Sequence, residues 1–263
     1  MSKRLKLATR GLGAEPGIPE VAELAAWIAE HRGTAADLTT YRLFQSLGPQ
    51  IAAGIGSPCA GGKFLQERIL DCIIGVSEKR AIDELGVRKA ALAEVGYGIA
   101  AQRRNAWCAL PAPHALGIVD TYFNDNEEWT GAIAGAYISL MRTMRDAGVP
   151  GHVLICDKAE EPEVAALNRR EVFFFQPEPD RESLEVLMEH QSSVASGKDH
   201  LPTVFDLANE YDLRKILIVD ADLNAINLAL THVDPDQVVI AGYCTEGSDL
   251  YWEELEKLSS FSR

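Results

Sequence analysis

His114 is the titratable side chain with the most chemistry open to it. It follows Leu110-Pro111-Ala112-Pro113, a stiff segment that closes an apolar run, and imidazole titrates where general acid and base work is done. Asp120 and Tyr122 follow a few residues later, and the three are read as sharing one pocket. In that reading His114 or Asp120 takes the proton of an acceptor, and Tyr122 lines the substrate side.

Two more carboxylates each end a strongly apolar run. Asp157 follows "GHVLIC" and Asp220 follows "KILIV". A carboxylate at a strand's carboxyl end is placed to accept hydrogen bonds from ribose hydroxyls. The competing role is capping of the next helix, which is the preferred reading for Asp180 and Asp222. Gly242, in "VVIAGY", is a weaker candidate for the cofactor side.

The stretch "AGIGSPCAGGKF", residues 53–64, invites a phosphate-cradle reading that its spacing denies. Counting back from Lys63 puts Ser57 where a Walker loop needs its first glycine, and Phe64 replaces the hydroxyl that would meet magnesium. The dinucleotide pattern begins at Gly54 and Gly56 but meets Cys59 in place of its third glycine. Two readings remain. One is a surface turn into a helix starting near Phe64; the other is a mobile loop turning Ser57, Cys59 and Lys63 toward a substrate.

Acidic strand ends without a diphosphate grip suit S-adenosylmethionine, whose sulfonium is positive, better than NAD(P) or FAD. The leading expectation is therefore a small-molecule transferase, in its most specific form a non-standard S-adenosylmethionine-dependent methyltransferase. Asp157 or Asp220 would bind the ribose. An NAD(P)-dependent oxidoreductase with an atypical turn is the second reading, and a non-catalytic binding or scaffold protein the third. The six histidines are isolated and the five cysteines form no CxxC pair, so no metal site is expected.

These groups need a scaffold. Apolar, β-rich runs at 105–110, 151–156, 171–176, 215–220 and 237–243 alternate with helical patterns, as in a buried parallel sheet. Trp129, Ile133, Tyr137, Leu140 and Met144 make one stripe along a helix over 124–148. Further helices are expected at 180–190, 203–212, 223–233 and 248–261. The pattern predicts an α/β fold, a Rossmann-like doubly wound sheet over residues 101–263. An eight-fold barrel needs eight strands where five or six are visible. Residues 1–100 read as a mainly helical region or cap. Its helices are placed at 19–33, with a stripe of Val21, Leu24 and Ile28, and at 77–96, with a possible strand at 69–76.

Composition sets the outer limits. A net charge of -14 over 263 residues argues against nucleic acid and anionic membranes as partners. No apolar run is long enough to span a bilayer, and no leader is visible, so a cytoplasmic enzyme of small molecules is expected. A homodimer is expected too, with Tyr251 and Trp252 covering either an interface or the core.

Overall fold

The computed structural model describes residues 4–31, 36–246 and 249–262. Along the chain, β1 (Arg4–Lys6) and β2 (Ala8–Ala14) precede α1 (Val21–Glu30) and α2 (Leu38–Ala53). Next come β3 (Cys59–Gly61), a short 3-10 turn, α3 (Gln66–Cys72), β4 (Ile73–Ser77), β5 (Arg80–Val87) and α4 (Ala90–Gln102). Then follow β6 (Trp107–Pro111), β7 (Val119–Asp120), α5 (Asn126–Asp146), β8 (His152–Ile155), α6 (Glu161–Leu167) and β9 (Val172–Phe175). The rest is α7 (Arg181–His190), β10 (Ser193–Gly197), α8 (Leu201–Leu207), β11 (Lys215–Val219) and α9 (Leu223–His232). Strand β12 (Val238–Cys244), α10 (Asp249–Leu258) and β13 (Ser260–Ser262) close the chain.

The five apolar runs read from the sequence are β6, β8, β9, β11 and β12, and all pair in parallel. The α/β class with mainly parallel strands is what the chain has. The order of those strands departs from a strict doubly wound sheet. One set runs β3-β6-β8-β9 and the other β10-β11-β12-β2. They meet where Arg10 and Ser57 form a parallel bridge, with Gly11 donating to the Ser57 carbonyl at 2.9 Å. A doubly wound sheet reverses its strand order at a switch point, and this order never reverses. It steps round in sequence.

A single buried cluster takes a side chain from every one of these strands: Leu12, Cys59, Ala109, Ile155, Phe175, Ala195, Leu217 and Ala241. That is the filled interior of an eight-stranded parallel barrel, with two outer layers of helix-facing core around it. The ring of Phe175 meets that of Tyr243 across the lumen, their centroids 5.5 Å apart.

The barrel corrects the expected boundary near residue 100. Strands β2 and β3 belong to the first hundred residues, and β2 pairs with β12 near the chain's other end. The two expected regions therefore share one framework. The helix expected over 77–96 is instead the hairpin β4–β5, turning at Glu78 and Lys79 with φ of 49° and 56°, followed by α4. In α1 no residue is buried and Val21 is 83% exposed, so the apolar stripe does not face a core. The glycine stop expected there, Gly33, lies outside the described residues, as does Ser248 of the last expected helix.

The other helices follow their sequence signals. Asp125, Asp180 and Asp222 each cap a helix by accepting a backbone N–H of its first turn. Tyr137, Leu140 and Met144 are fully buried on α5. Trp252 is 2% exposed and packs in the core, not at an interface. No helix among the described residues is long and apolar enough to cross a membrane.

Candidate active site

Because the eight strands run parallel, their carboxyl ends share one mouth, the end at which barrels of this kind carry their sites. The residues that follow those ends are Glu15 after β2, Lys63 after β3, His114 after β6 and Asp157 after β8. Tyr243 stands near the end of β12.

Three short links hold this half of the mouth together. Glu15 accepts from the Lys63 amide at 2.5 Å and from the Tyr243 hydroxyl at 2.7 Å. The Lys63 ammonium reaches Asp157 Oδ1 at 2.5 Å. Glu163, on α6, grips His114 twice: one oxygen accepts from the His114 amide at 2.8 Å, the other meets Nδ1 at 2.9 Å. With Nδ1–H directed at Glu163, the lone pair of Nε2 faces the Asp157 amide, which approaches at 3.3 Å. Nε2 is therefore the basic atom of His114.

The local electrostatics make the imidazole more basic than usual. Burial opposes it, but the bond to Glu163 and the nearby Glu160 and Asp157 carboxylates outweigh burial, and His114 sits above the ordinary histidine value. Tyr243 is pushed up by burial and by Glu15, so its hydroxyl stays protonated and donates. Beside the His114–Glu163 pair lies a cleft of about 210 Å³, bordered by Trp129, Thr130, Asn126 and Glu160. It has room for a small molecule.

The remaining expected site residues fall elsewhere. Asp120 does not share the cleft with His114: it lies on β7 against β5, and its carboxylate accepts three backbone N–H groups, from Tyr122, Phe123 and Asn124. It ties a turn. Tyr122 is exposed and its ring meets Phe123. Ser57 precedes β3, at the opposite end of the barrel from the mouth, where it bridges to β2. Cys59 fills the lumen, its thiol pushed up to about 12 by burial. Gly242 is buried under α10, and a Cβ there would meet Leu255, Tyr251 and Trp252 at 2.6–2.9 Å. Its role is to seat a helix. Asp220 does follow a strand end at the mouth, three strands round from Asp157, and accepts from the Tyr251 hydroxyl at 2.5 Å.

The glycine-rich stretch resolves into three pieces. Gly54 caps α2 in the left-handed region, Cys59–Gly61 is a buried barrel strand, and Lys63 reaches the mouth. The helix expected near Phe64 is there, but the surface turn and the mobile loop are not what precedes it. Sequence reasoning missed Glu15, Glu163 and Tyr243. Glu15 follows β2 and would have been found had that strand been recognised; Glu163, 49 positions from His114, carried no local signal.

Comparison with solved structures agrees with the topology. The chain superposes on a B12-independent methionine synthase from Shewanella sp. W3-18-1 in complex with selenomethionine, with a TM-score of 0.58, 15% identity, and 97% of this chain and 96% of that one covered. A candidate vitamin-B12-independent methionine synthase from Listeria monocytogenes gives 0.64 at 13% identity, over 97% and 95% of the two chains. A methyltransferase from Methanosarcina mazei gives 0.55 at 9% identity, over 97% and 93%. The chain shares their fold. No protein-family model matches the sequence of this barrel, and no curated protein sequence does.

Proposed function

We propose that this chain is a small-molecule transferase working at the barrel mouth, with methyl transfer from S-adenosylmethionine as its specific form. The observation that carries the reading is His114, gripped at its amide and its Nδ1 by the buried Glu163, so that the lone pair lies on Nε2, held only by a long bond from the Asp157 amide, on a ring that borders a small cleft. A histidine serving only to fill space has no need of a buried carboxylate on both groups. The names of the three structural neighbours, a methionine synthase, a candidate methionine synthase and a methyltransferase, lend support to group transfer as the reaction class.

The donor is tested against the residues present. Of the three expected to hold it, Gly242 lies under α10, Asp220 has one oxygen on Tyr251 and stands three strands round, and Asp157, with one oxygen on Lys63, is the carboxylate beside His114. Asp157 is the residue left to take a ribose hydroxyl. The oxidoreductase reading is less favoured: the Lys63 amide is spent on Glu15, and a Cβ on Gly62 would lie 2.3 Å from the Ala14 carbonyl, so this turn is closed to a diphosphate. When bound, S-adenosylmethionine supplies an electrophilic methyl group on a positive sulfur.

The chain's own residues do the rest. Neutral His114 accepts the acceptor's proton at Nε2, the acceptor displacing the long bond from the Asp157 amide. Glu163 keeps the proton on Nδ1 and stabilises the imidazolium as it forms. The cleft orients the acceptor, which supplies much of the rate in a two-substrate reaction. Thermal shift with S-adenosylhomocysteine tests donor binding: stabilisation at millimolar ligand is expected, and its loss in Asp157→Asn. Methyl transfer to a panel of small hydroxyl, amine and thiol acceptors should fall at least a hundredfold in His114→Gln. Absence of stabilisation in the wild type rules out this donor; full activity of His114→Gln rules out the site.

A further inference from the structure

We propose that a second, separate site, the groove between α9 and α10, binds a small organic cation with an apolar body, a protonated alkyl or aralkyl amine. The groove measures about 740 Å³. Its floor is Ile240, Leu255 and Leu258, and its lip is Leu223, 52% exposed. Past Leu258 it continues toward Ser260, so an aliphatic chain has an apolar track to follow.

The charged side chains that line the groove itself have one sign. Asp220, Asp222 and Glu254 line the groove, and no lysine, arginine or histidine stands among the described residues that line it. Asp222 is satisfied, one oxygen accepting from the Ala225 amide at 2.8 Å and the other from Lys198 at 3.0 Å. Asp220 uses one oxygen for Tyr251, and Glu254 has no bonded partner among the described residues. Lys257, in the continuation, is held by Glu253 at 3.4 Å. Two carboxylates therefore keep spare acceptors over an apolar floor. An ammonium is attracted there and a carboxylate is repelled. The helix N-terminus of α9, which would otherwise favour an anion, is already occupied by the Asp222 cap.

The groove is also joined to the mouth. The Tyr251 hydroxyl that donates to Asp220 accepts from the Tyr243 amide at 2.9 Å, and the Tyr243 hydroxyl donates to Glu15. A cation at Asp220 competes with Tyr251 for its carboxylate, at the far end of that chain of bonds.

Calorimetric titration with n-hexylammonium chloride, n-butylammonium chloride, n-hexanol and sodium hexanoate tests the proposal on the whole protein. Hexylammonium should bind, butylammonium about fifteenfold more weakly, near fourfold per methylene lost. Hexanol should bind at least tenfold more weakly than hexylammonium, and hexanoate should not bind. The Asp220→Asn, Glu254→Gln double variant should lose at least tenfold in hexylammonium affinity, with circular dichroism confirming its fold; asparagine tolerates the φ of 50° at position 220. His114→Gln should bind hexylammonium as the wild type does, so this result stands whether or not methyl transfer is found. Hexanoate binding as tightly as hexylammonium, undiminished affinity in the double variant, or no heat at tens of millimolar amine would each overturn it.

Discussion

Acid should weaken this fold through one histidine. His152 opens β8, is 2% exposed, and its Nε2 has no hydrogen-bond partner among the described residues. Burial, reinforced by Arg145, holds its pKa down to about 3 against an ordinary 6.5. Above pH 6.5 it is neutral in both folded and unfolded chains and contributes no pH dependence. Between 6.5 and 3 the unfolded chain binds a proton that the folded chain refuses, so stability falls with falling pH. The full difference is on the order of 5 kcal/mol, of which about 2 kcal/mol accrues by pH 5. The perturbation is His152→Leu, and the assay is urea unfolding of both proteins at pH 7.5 and pH 5, read by circular dichroism. Between the two pH values the wild type should lose about 2 kcal/mol more than the variant, whatever the other groups contribute to both. Equal losses would show that His152 charges inside the fold and that its burial is not what the geometry implies.

Other outcomes follow from the mouth and its supports. Glu163→Gln should bring the His114 imidazole titration, followed by NMR, below its wild-type midpoint, because the carboxylate is what outweighs burial there. The same raised pKa means that the Glu163 pair stabilises the fold fully below pH 6.5 and less as pH climbs through the folded value, so the variant should lose that slope in urea unfolding. Asp120→Ala should lower the melting temperature by freeing three backbone N–H groups while leaving the His114 titration where it is; a shifted titration would return Asp120 to the site. Gly242→Ala should cost about 1–3 kcal/mol in urea unfolding as α10 is pushed off β12, and an unchanged midpoint would mean the helix is not seated there.

How far the sequence could be read depended on side-chain bulk. Strands β8, β9, β11 and β12 announce themselves through Val, Ile, Leu and Phe on both faces, and the helices between them through Asp caps and apolar stripes. The hairpin at 73–87 hid because Glu78 and Lys79 turn in the left-handed region without the glycine or asparagine that normally marks such a turn. At the site, His114 and Asp157 were found because each directly follows a legible strand. Asp120 was misplaced because proximity in sequence stood in for proximity in space, and β7 pulls it onto β5.

The barrel itself was missed for a physical reason that its seam makes plain. Strands β2, β3 and β10 read ATRGLGA, CAG and SVASG, with almost none of the bulk that marks a strand. At β2 and β3 the small residues are required. Gln50, fully buried on α2, inserts between them: its carbonyl accepts from the Cys59 amide at 2.8 Å and its amide donates to the Cys59 carbonyl at 2.7 Å. Ser46 accepts from the Gly61 amide at 2.8 Å in the same way. Two helix side chains thus supply the hydrogen bonds that a neighbouring strand would give to β3, which among the described residues has a ladder with β6 alone. A Cβ on Gly11 would lie 1.9 Å from Gln50 Oε1, and one on Gly13, at φ 112°, would lie 2.7 Å from the Ala109 Cβ. Gly11 and Gly13 of β2, rather than the glycines of residues 53–64, are what let this glutamine and the Ala109 side chain come close. The same seam carries β2 and β3 to the mouth, where Glu15 and Lys63 meet. Replacing Gln50 with leucine should leave the Cys59 backbone groups unpaired in the core and cost roughly 2–5 kcal/mol in urea unfolding. A fully stable Gln50→Leu protein would mean that the seam is held by something other than this side chain.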